Sequence, residues 1–194
     1  MELKLRVGSS PSPGTMKYLL PIGTILFLSG LFLAYFLHSD IWYSFFSIGV
    51  FLLLEGLNAP KGFSVFRNIK VFFRTWLVFA LLGGVVEVIG NYWLHLWGYP
   101  EFHVLAYFIH VLLIGYPFTG FLGMELFKSE QQLCLPIFAT VLGCLIEFTN
   151  TFAYEWKYAN WPGAIFLGIP VLVLILWNIL LLSLLFKKPF EFNI

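Results

Sequence analysis

The chain has 194 residues, of which 60% are hydrophobic, 20% aromatic and only 11% charged. With a mean hydropathy of +0.88, an ordinary soluble globular protein is excluded, because too little polar surface is left to face water. The net charge of +1, with no long basic or acidic run, removes the electrostatic footprint of a nucleic-acid binder and leaves membrane lipids as the expected surroundings.

Residues 1–16 are polar and rich in Ser, Pro and Gly, and read as a disordered tail. A membrane crossing needs about 20 mostly apolar residues, and six stretches approach that length: 17–37, 41–57, 70–97, 104–127, 132–155 and 164–186. Their apolar runs are unbroken, whereas the strands of a membrane barrel alternate. The predicted fold is therefore all-α, a bundle of six transmembrane helices spanning 17–187, with 188–194 as a second tail. The first stretch is too long for the core of a signal peptide and lacks a convincing small-x-small cleavage site, so it reads as a retained anchor. The basic, mildly amphipathic loop from Asn58 to Ile69 is expected on the inner lipid surface. Cys134 and Cys144 share the fifth stretch about 15 Å apart along a helix, too far for a disulfide.

Orientation follows from the basic residues, which concentrate on the cytoplasmic side of a membrane. With six spans, one side holds Lys4, Arg6, Lys17, Lys61, Arg67, Lys70, Arg74, Lys128, Lys187 and Lys188, and the other only Lys157. Both termini are thus expected in the cytoplasm of a cell whose inner membrane holds the protein.

The third stretch carries Gly83, Glu87 and Asn91 and closes on Trp97-Gly98-Tyr99. The fifth carries Gly143, Glu147 and Asn150 and closes on Trp156-Lys157-Tyr158. A Gly-x-Pro follows each, Gly115-Tyr116-Pro117 in the fourth stretch and Gly168-Ile169-Pro170 in the sixth. The shared order reads as a parallel two-helix repeat, spans 3–4 against 5–6, about an axis near the membrane normal. The spacing is imperfect, since Glu to Trp is ten residues in one copy and nine in the other.

If each Trp-x-Tyr marks the outer interface, Glu87 and Glu147 lie about 13 to 15 Å inward at 1.5 Å per residue, near the middle of the bilayer. An ionised carboxylate there is costly unless paired or solvated, so such residues commonly face a bundle interior and carry function. Neither helix offers Lys or Arg at that depth; each carboxyl must be neutral, share a proton, or be held by polar neighbours. Glu87, Asn91 and His95 fall on one helical face, and Glu147, Asn150 and Tyr154 on another. Each carboxyl is expected to have an amide one turn outward, able to donate or accept. The competing reading is that these groups only knit helices together.

Among the other polar residues, Glu55 and Glu125 are expected to reach the inner interface or to pair with Arg74 or Lys128. His110, Thr119 and Asn178 are single polar residues within spans and are candidates to line a cavity. Most Trp and Tyr residues form an interface belt, but Tyr92, Trp93, Tyr116 and Tyr154 fall near the carboxyl level, where ring faces would wall a substrate pocket and stabilise a cation. The four His residues lack zinc-site spacing, and no phosphate loop, dinucleotide fingerprint or nucleophile elbow occurs. No metal and no cofactor is expected.

The run from Glu147 through Trp156-Lys157-Tyr158 to Phe166-Leu167-Gly168-Ile169-Pro170 and Trp177 resembles the late helices of polytopic carotenoid-modifying membrane proteins, the heterodimer-type lycopene cyclases and the bisanhydrobacterioruberin-type carotenoid hydratases. Trp97-Gly98-Tyr99, Gly115-Tyr116-Pro117 and Met124-Glu125 repeat a similar order, so the resemblance covers roughly residues 83–180. It implies a cofactor-independent reaction in which an acid protonates a double bond of an isoprenoid and the cation cyclises or captures water. Glu87 and Glu147 then look like the acid and base, with Asn91 and Asn150 orienting them. One departure counts against cyclase activity proper: the cyclases carry adjacent acidic residues shortly after a proline, whereas Pro117 is followed eight positions later by the single Glu125. Two other readings stay open, a proton-coupled carrier for a small solute and a non-catalytic membrane assembly subunit.

Overall fold

The computed structural model describes residues 13–61, 64–100, 103–128 and 135–176. It is predominantly helical, in the order α1 (Pro13–Leu37), α2 (Trp42–Asn58), α3 (Ile69–Glu87), α4 (Val104–Tyr107), α5 (Tyr116–Lys128) and α6 (Leu135–Ala153). Helix α3 runs on without a break as a π-helix, Val88–Trp93, and a second π-helix, Phe108–Gly115, joins α4 to α5 in one rod. Two short 3-10 turns, Ala59–Lys61 and Val65–Arg67, connect α2 to α3. Asn68 starts α3 by accepting the Lys70 and Val71 amides on its side-chain oxygen at 3.1 and 3.3 Å, which satisfies two of the amides that a helix start leaves open.

Five of the six expected stretches coincide with these helical rods, with corrected ends. Helix α1 already begins at Pro13, inside the expected tail, whose remainder lies outside the described residues. The third rod stops at Trp93, so Trp97-Gly98 belongs to a strand and not to the helix. The largest correction is the sixth stretch: residues 165–170 form a hairpin of two-residue strands, β3 (Ile165–Phe166) and β4 (Ile169–Pro170), and helix resumes only at residue 171. Left-handed Leu167 and Gly168, at φ 51° and 79°, turn that hairpin. Gly-x-Pro therefore has a different structure in the two copies, because Pro117 sits within a helical rod.

Three rods, Tyr18–Leu37, Ile69–Trp93 and Val104–Leu126, are long and apolar enough to cross a membrane, as a membrane protein requires. The outward face of α1 presents Tyr18, Ile22, Ile25, Leu28, Phe32 and Phe36 at three- and four-residue steps, all exposed, a stripe suited to acyl chains.

Inside, Trp42 and Phe46 of α2 pack with Ala34 of α1 and with Ile146 and Ala153 of α6. A second cluster joins α2, α3 and α5 through Phe51, Phe72 and Phe121, the last two rings stacked 4.8 Å apart. Helices α1 and α2 approach so closely that a Cβ on Gly49 would stand 2.3 Å from the Phe27 amide nitrogen. Backbone cannot yield as a side chain can, and in lipid such close packing replaces the hydrophobic effect as the force between helices. Gly49→Leu is expected to separate α1 from α2 and to cost about 3 kcal/mol, read as a lowered unfolding midpoint in detergent.

At the end of the bundle away from the small strands, Glu55 and Glu125 are fully buried, which corrects the expectation that they reach the interface. Glu55 accepts from the Ser64 hydroxyl and from the Val65 amide at 3.0 Å. Glu125 accepts from Asn58 Nδ2 at 2.8 Å, and the same amide donates to the Glu125 carbonyl. These bonds tie α2 to the adjoining turn and to α5.

Candidate functional site: two carboxyls under a strand pair

The two Trp-x-Tyr motifs meet. Trp97–Gly98 (β1) pairs antiparallel with Lys157–Tyr158 (β2), with Trp97 opposite Tyr158 and Gly98 opposite Lys157. The register centres on Gly98 and Lys157, the middle residues of the two motifs. Ala159 N reaches Leu96 O at 2.8 Å, and Asn160 Nδ2 reaches His95 O at 3.1 Å, extending the contact.

Beneath β1, the Glu87 carboxylate is 4% exposed and five side chains donate to it. On Oε1 are the Tyr116 hydroxyl at 2.7 Å and the Tyr99 hydroxyl at 2.9 Å. On Oε2 are the Tyr107 hydroxyl at 3.0 Å and Asn91 Nδ2 at 3.2 Å. Trp97 Nε1 lies 3.2 Å from both oxygens. Five donors satisfy the hydrogen-bonding capacity of this buried carboxyl. Burial, reinforced by Tyr116 and the Glu87 carboxylate, holds the Tyr99 phenol well above its usual range, so it remains a donor.

Beneath β2, Glu147 is 3% exposed and repeats part of this arrangement. Tyr158 donates to Oε2 at 2.6 Å and Trp156 Nε1 to the same oxygen at 3.3 Å. In both copies, then, the Trp and the Tyr of one motif fold back onto the Glu of the preceding helix. Burial first, and then the Glu147 charge, keeps the Tyr158 phenol protonated well above its usual range.

This fold-back changes the expected depth. Glu87 and Glu147 each lie six residues before the end of their helical rods, at Trp93 and Ala153, which is about 9 Å at 1.5 Å per residue. The 13 to 15 Å expectation counts the Trp as helical, whereas the chain leaves the helix first and returns.

The two amides act differently. Asn91 donates to Glu87 as expected, but Asn150 brackets the Trp156 backbone, giving Nδ2 to its carbonyl at 2.7 Å and taking its amide on Oδ1 at 3.2 Å. Asn150 thus fixes the loop that aims the Trp156 indole at Glu147.

Of the other expected site residues, Tyr116 donates to the Glu87 carboxyl. Tyr92 and Trp93 are 74% and 69% exposed. His95 and Tyr154 end their helices in left-handed conformations, φ 50° and 58°, and turn the chain toward the strands. His110 bonds through Nδ1 to the Ser44 hydroxyl at 2.8 Å, joining the second π-helix to α2. Thr119 shares a 2.6 Å hydrogen bond with the Tyr43 hydroxyl. Asn178 lies outside the described residues. Trp97, Tyr99, Tyr107, Trp156 and Tyr158 are not expected as site residues from the sequence; four of them read there as interface belt. For Trp97, Tyr99, Trp156 and Tyr158 the available signal is the same order after each Glu, one residue later in the first copy.

Both π-helices border this site. Val88–Trp93 starts directly after Glu87, and Phe108–Gly115 stops directly before Tyr116, the position such segments commonly take at functional sites. Pro117 has no amide to offer Leu113 O in the α register, and Trp76 Nε1 fills that role at 3.0 Å. Gly83 makes room for the Tyr116 ring, whose Cγ would lie 2.3 Å from a Cβ at that position.

Glu155, which directly precedes the second Trp-x-Tyr motif, is 2% exposed and accepts the Tyr43 amide at 3.3 Å. Burial raises its carboxyl well above the usual range; the Tyr43 amide opposes the shift and nearby Asp40 adds to it. A raised pKa in the folded state means that the unfolded chain releases its proton first, near the ordinary 4.5. Stability contributed by this group is therefore complete below that pH and falls as pH rises toward the folded value. Glu155→Gln keeps an acceptor for the Tyr43 amide, and its unfolding midpoint should fall less than the wild type's as pH rises above about 5.

Comparison with protein families, with characterised proteins and with solved structures finds no match for this chain.

Proposed function

We propose that this protein is an integral-membrane enzyme that moves protons to and from a carbon-carbon double bond of an isoprenoid or polyene chain, with Glu87 and Glu147 as its acid/base pair. The reading is supported by one observation above the rest: two buried carboxyls stand at corresponding places, each under a Trp indole and a Tyr hydroxyl of its own motif. The resemblance to carotenoid cyclases and hydratases points to the same chemistry.

In the forward step a carboxyl gives its proton to one alkene carbon, and the π pair becomes the new C–H bond. The other carbon is left as a tertiary cation, which indole and phenol rings stabilise through their faces. The cation then either loses a proton from a neighbouring carbon to a carboxylate, directly to give an isomer or after a second double bond has attacked it, its π pair becoming the ring's new C–C bond and its far carbon the new cation, or captures water, whose extra proton returns to the carboxylate. Both routes balance without an oxidant or cofactor. Phenols that stay protonated, Tyr99 and Tyr158, can pass a proton along their hydrogen bonds to the carboxyls. Asn91 and Asn150 are positioning residues.

The test is expression in a carotenoid-producing host, with pigments and lipids compared by mass. A new product with unchanged mass or with one added water is expected from the wild type and is lost in Glu147→Gln. An unchanged pigment and lipid profile with well-expressed wild type would overturn the proposal. Tyr158→Phe, which removes the 2.6 Å donor, should lower turnover about 10²-fold, the usual contribution of a positioned proton donor.

The symmetric strand pair supports a second reading, a proton-coupled carrier whose halves rock about the shared axis. Under it, proton-linked solute uptake into proteoliposomes vanishes in Glu87→Gln and Glu147→Gln while the pigments never change.

A further inference from the structure

On the strand side of the bundle, where α1 and α6 end and α2 begins, a cavity of about 410 Å³ is lined by His38, Ser39, Asp40, Ala153, Tyr154 and Lys157. That volume is within the range of small-molecule sites. It belongs to neither carboxyl site described above, although Lys157 is the middle residue of the second Trp-x-Tyr motif.

Its walls carry opposite charges. Asp40 and Lys157 face one cavity, yet no ion pair or hydrogen bond joins them among the described residues. The Lys157 ammonium instead lies 5.5 Å from the centre of the Tyr154 ring. The walls are firmly placed. His38 Nδ1 donates to Phe152 O at 2.8 Å, pinning the α1 exit to the α6 exit. Lys157 is held by the β1–β2 pairing, and Tyr43, next to this turn, is anchored on buried Glu155. A carboxylate and an ammonium that line one cavity without pairing to each other attract a ligand that carries both signs, a cation toward Asp40 and an anion toward Lys157. A singly charged ion would gain from one wall and be repelled by the other.

On the expected six-span topology, the count of basic residues puts this end at the outer interface, the depth at which lipid headgroups lie. Among molecules at that depth, a zwitterionic phospholipid offers both charges on one short headgroup. We infer that this cavity binds an aminoalkyl phosphate, the phosphoethanolamine headgroup of an outer-leaflet lipid, with Lys157 taking the phosphate and Asp40 the ammonium. The inference stands apart from the enzyme reading, because it invokes neither Glu87 nor Glu147.

The purified full chain in detergent is titrated with phosphatidylethanolamine, with phosphatidylglycerol and with soluble O-phosphoethanolamine, and its thermal unfolding midpoint is followed. Phosphatidylethanolamine should raise the midpoint by several degrees and phosphatidylglycerol should not. The shift should disappear in Asp40→Asn and in Lys157→Gln, persist in Lys157→Arg, and return in the double variant Asp40→Lys, Lys157→Asp, which restores both charges. An equal shift with O-phosphoethanolamine would name a free zwitterion, and its absence a lipid, as the source of the same chemistry. Equal stabilisation by phosphatidylglycerol, or a shift that survives both single neutralisations, would overturn the inference. Phosphatidylethanolamine response with no change in host pigments would leave this site standing while the enzyme proposal falls.

Discussion

Glu87→Gln should lower the stability of the folded chain by about 3 kcal/mol, a loss of the size expected when a buried charge-assisted network is broken from one side. The reason is a mismatch of donors. Tyr99, Tyr107 and Tyr116 can rotate their hydroxyls and accept from an amide, but the Trp97 indole can only donate. Its Nε1 stands 3.2 Å from both Glu87 oxygens, so whichever way a Gln amide is turned, its NH₂ faces the indole N–H. Trp97 cannot retreat easily, since its ring fills the space over Gly90, where a Cβ would lie 1.8 Å from the ring edge. The β1–β2 pairing hangs on the same residue. The loss should therefore appear as early opening of residues 94–99 in hydrogen exchange and as a lower unfolding midpoint. Because the conflict is between two donors, removing one of them relieves it. The double variant Glu87→Gln, Trp97→Phe should be less destabilised than the sum of the single variants. Additive losses would show that the indole is a packing group and not a hydrogen-bond donor to this carboxylate.

The helices were legible because unbroken apolar runs have few alternatives, and the carboxyl pair because an uncompensated Glu inside such a run is conspicuous. Three things were not. The hairpin at Ile165–Pro170 reads as apolar helix because so short an apolar run carries no period, although Pro162, Gly163, Gly168 and Pro170 are turn signals. The fold-back of Trp97 and Trp156 was hidden because interfacial aromatics and buried hydrogen-bond donors are the same residue types. Glu155, the last residue of the fifth expected stretch, carries no signal of its own in the sequence, and the Tyr43 amide and the surrounding packing bury it. The Glu155–Tyr43 contact and the pairing of Trp97 with Tyr158 join segments far apart in sequence, to which local pattern is blind.

The ten-against-nine spacing between Glu and Trp has a physical explanation that makes a severe test. Every landmark after Glu87 is one residue later than its counterpart after Glu147: Asn at four against three, the left-handed residue at eight against seven, Trp at ten against nine, Tyr at twelve against eleven. One residue extra between Glu87 and Asn91 accounts for all four offsets. That is where α3 becomes a π-helix, and Leu94 N accordingly bonds back five residues to Ile89 O at 3.0 Å, whereas Tyr154 N bonds back four to Asn150 O at 2.8 Å. A π segment is how a helix absorbs an added residue without rotating the residues beyond it. Deleting exposed Ile89 should then convert Val88–Trp93 to α-helix and leave buried Gly90 in the place of buried Thr149. Asn91, His95, Trp97 and Tyr99 keep their faces, and the cost should stay within about 1 kcal/mol. The mirror deletion, Phe148 from α6, has no π turn to consume. It rotates everything beyond by about 100°, withdraws Trp156 and Tyr158 from Glu147, and should cost about 4 kcal/mol or more, the range reserved for disrupted cores and buried networks. Unfolding midpoints in the same detergent measure both. If the two deletions are equally damaging, the extra residue is not an insertion and the correspondence between the two segments is accidental.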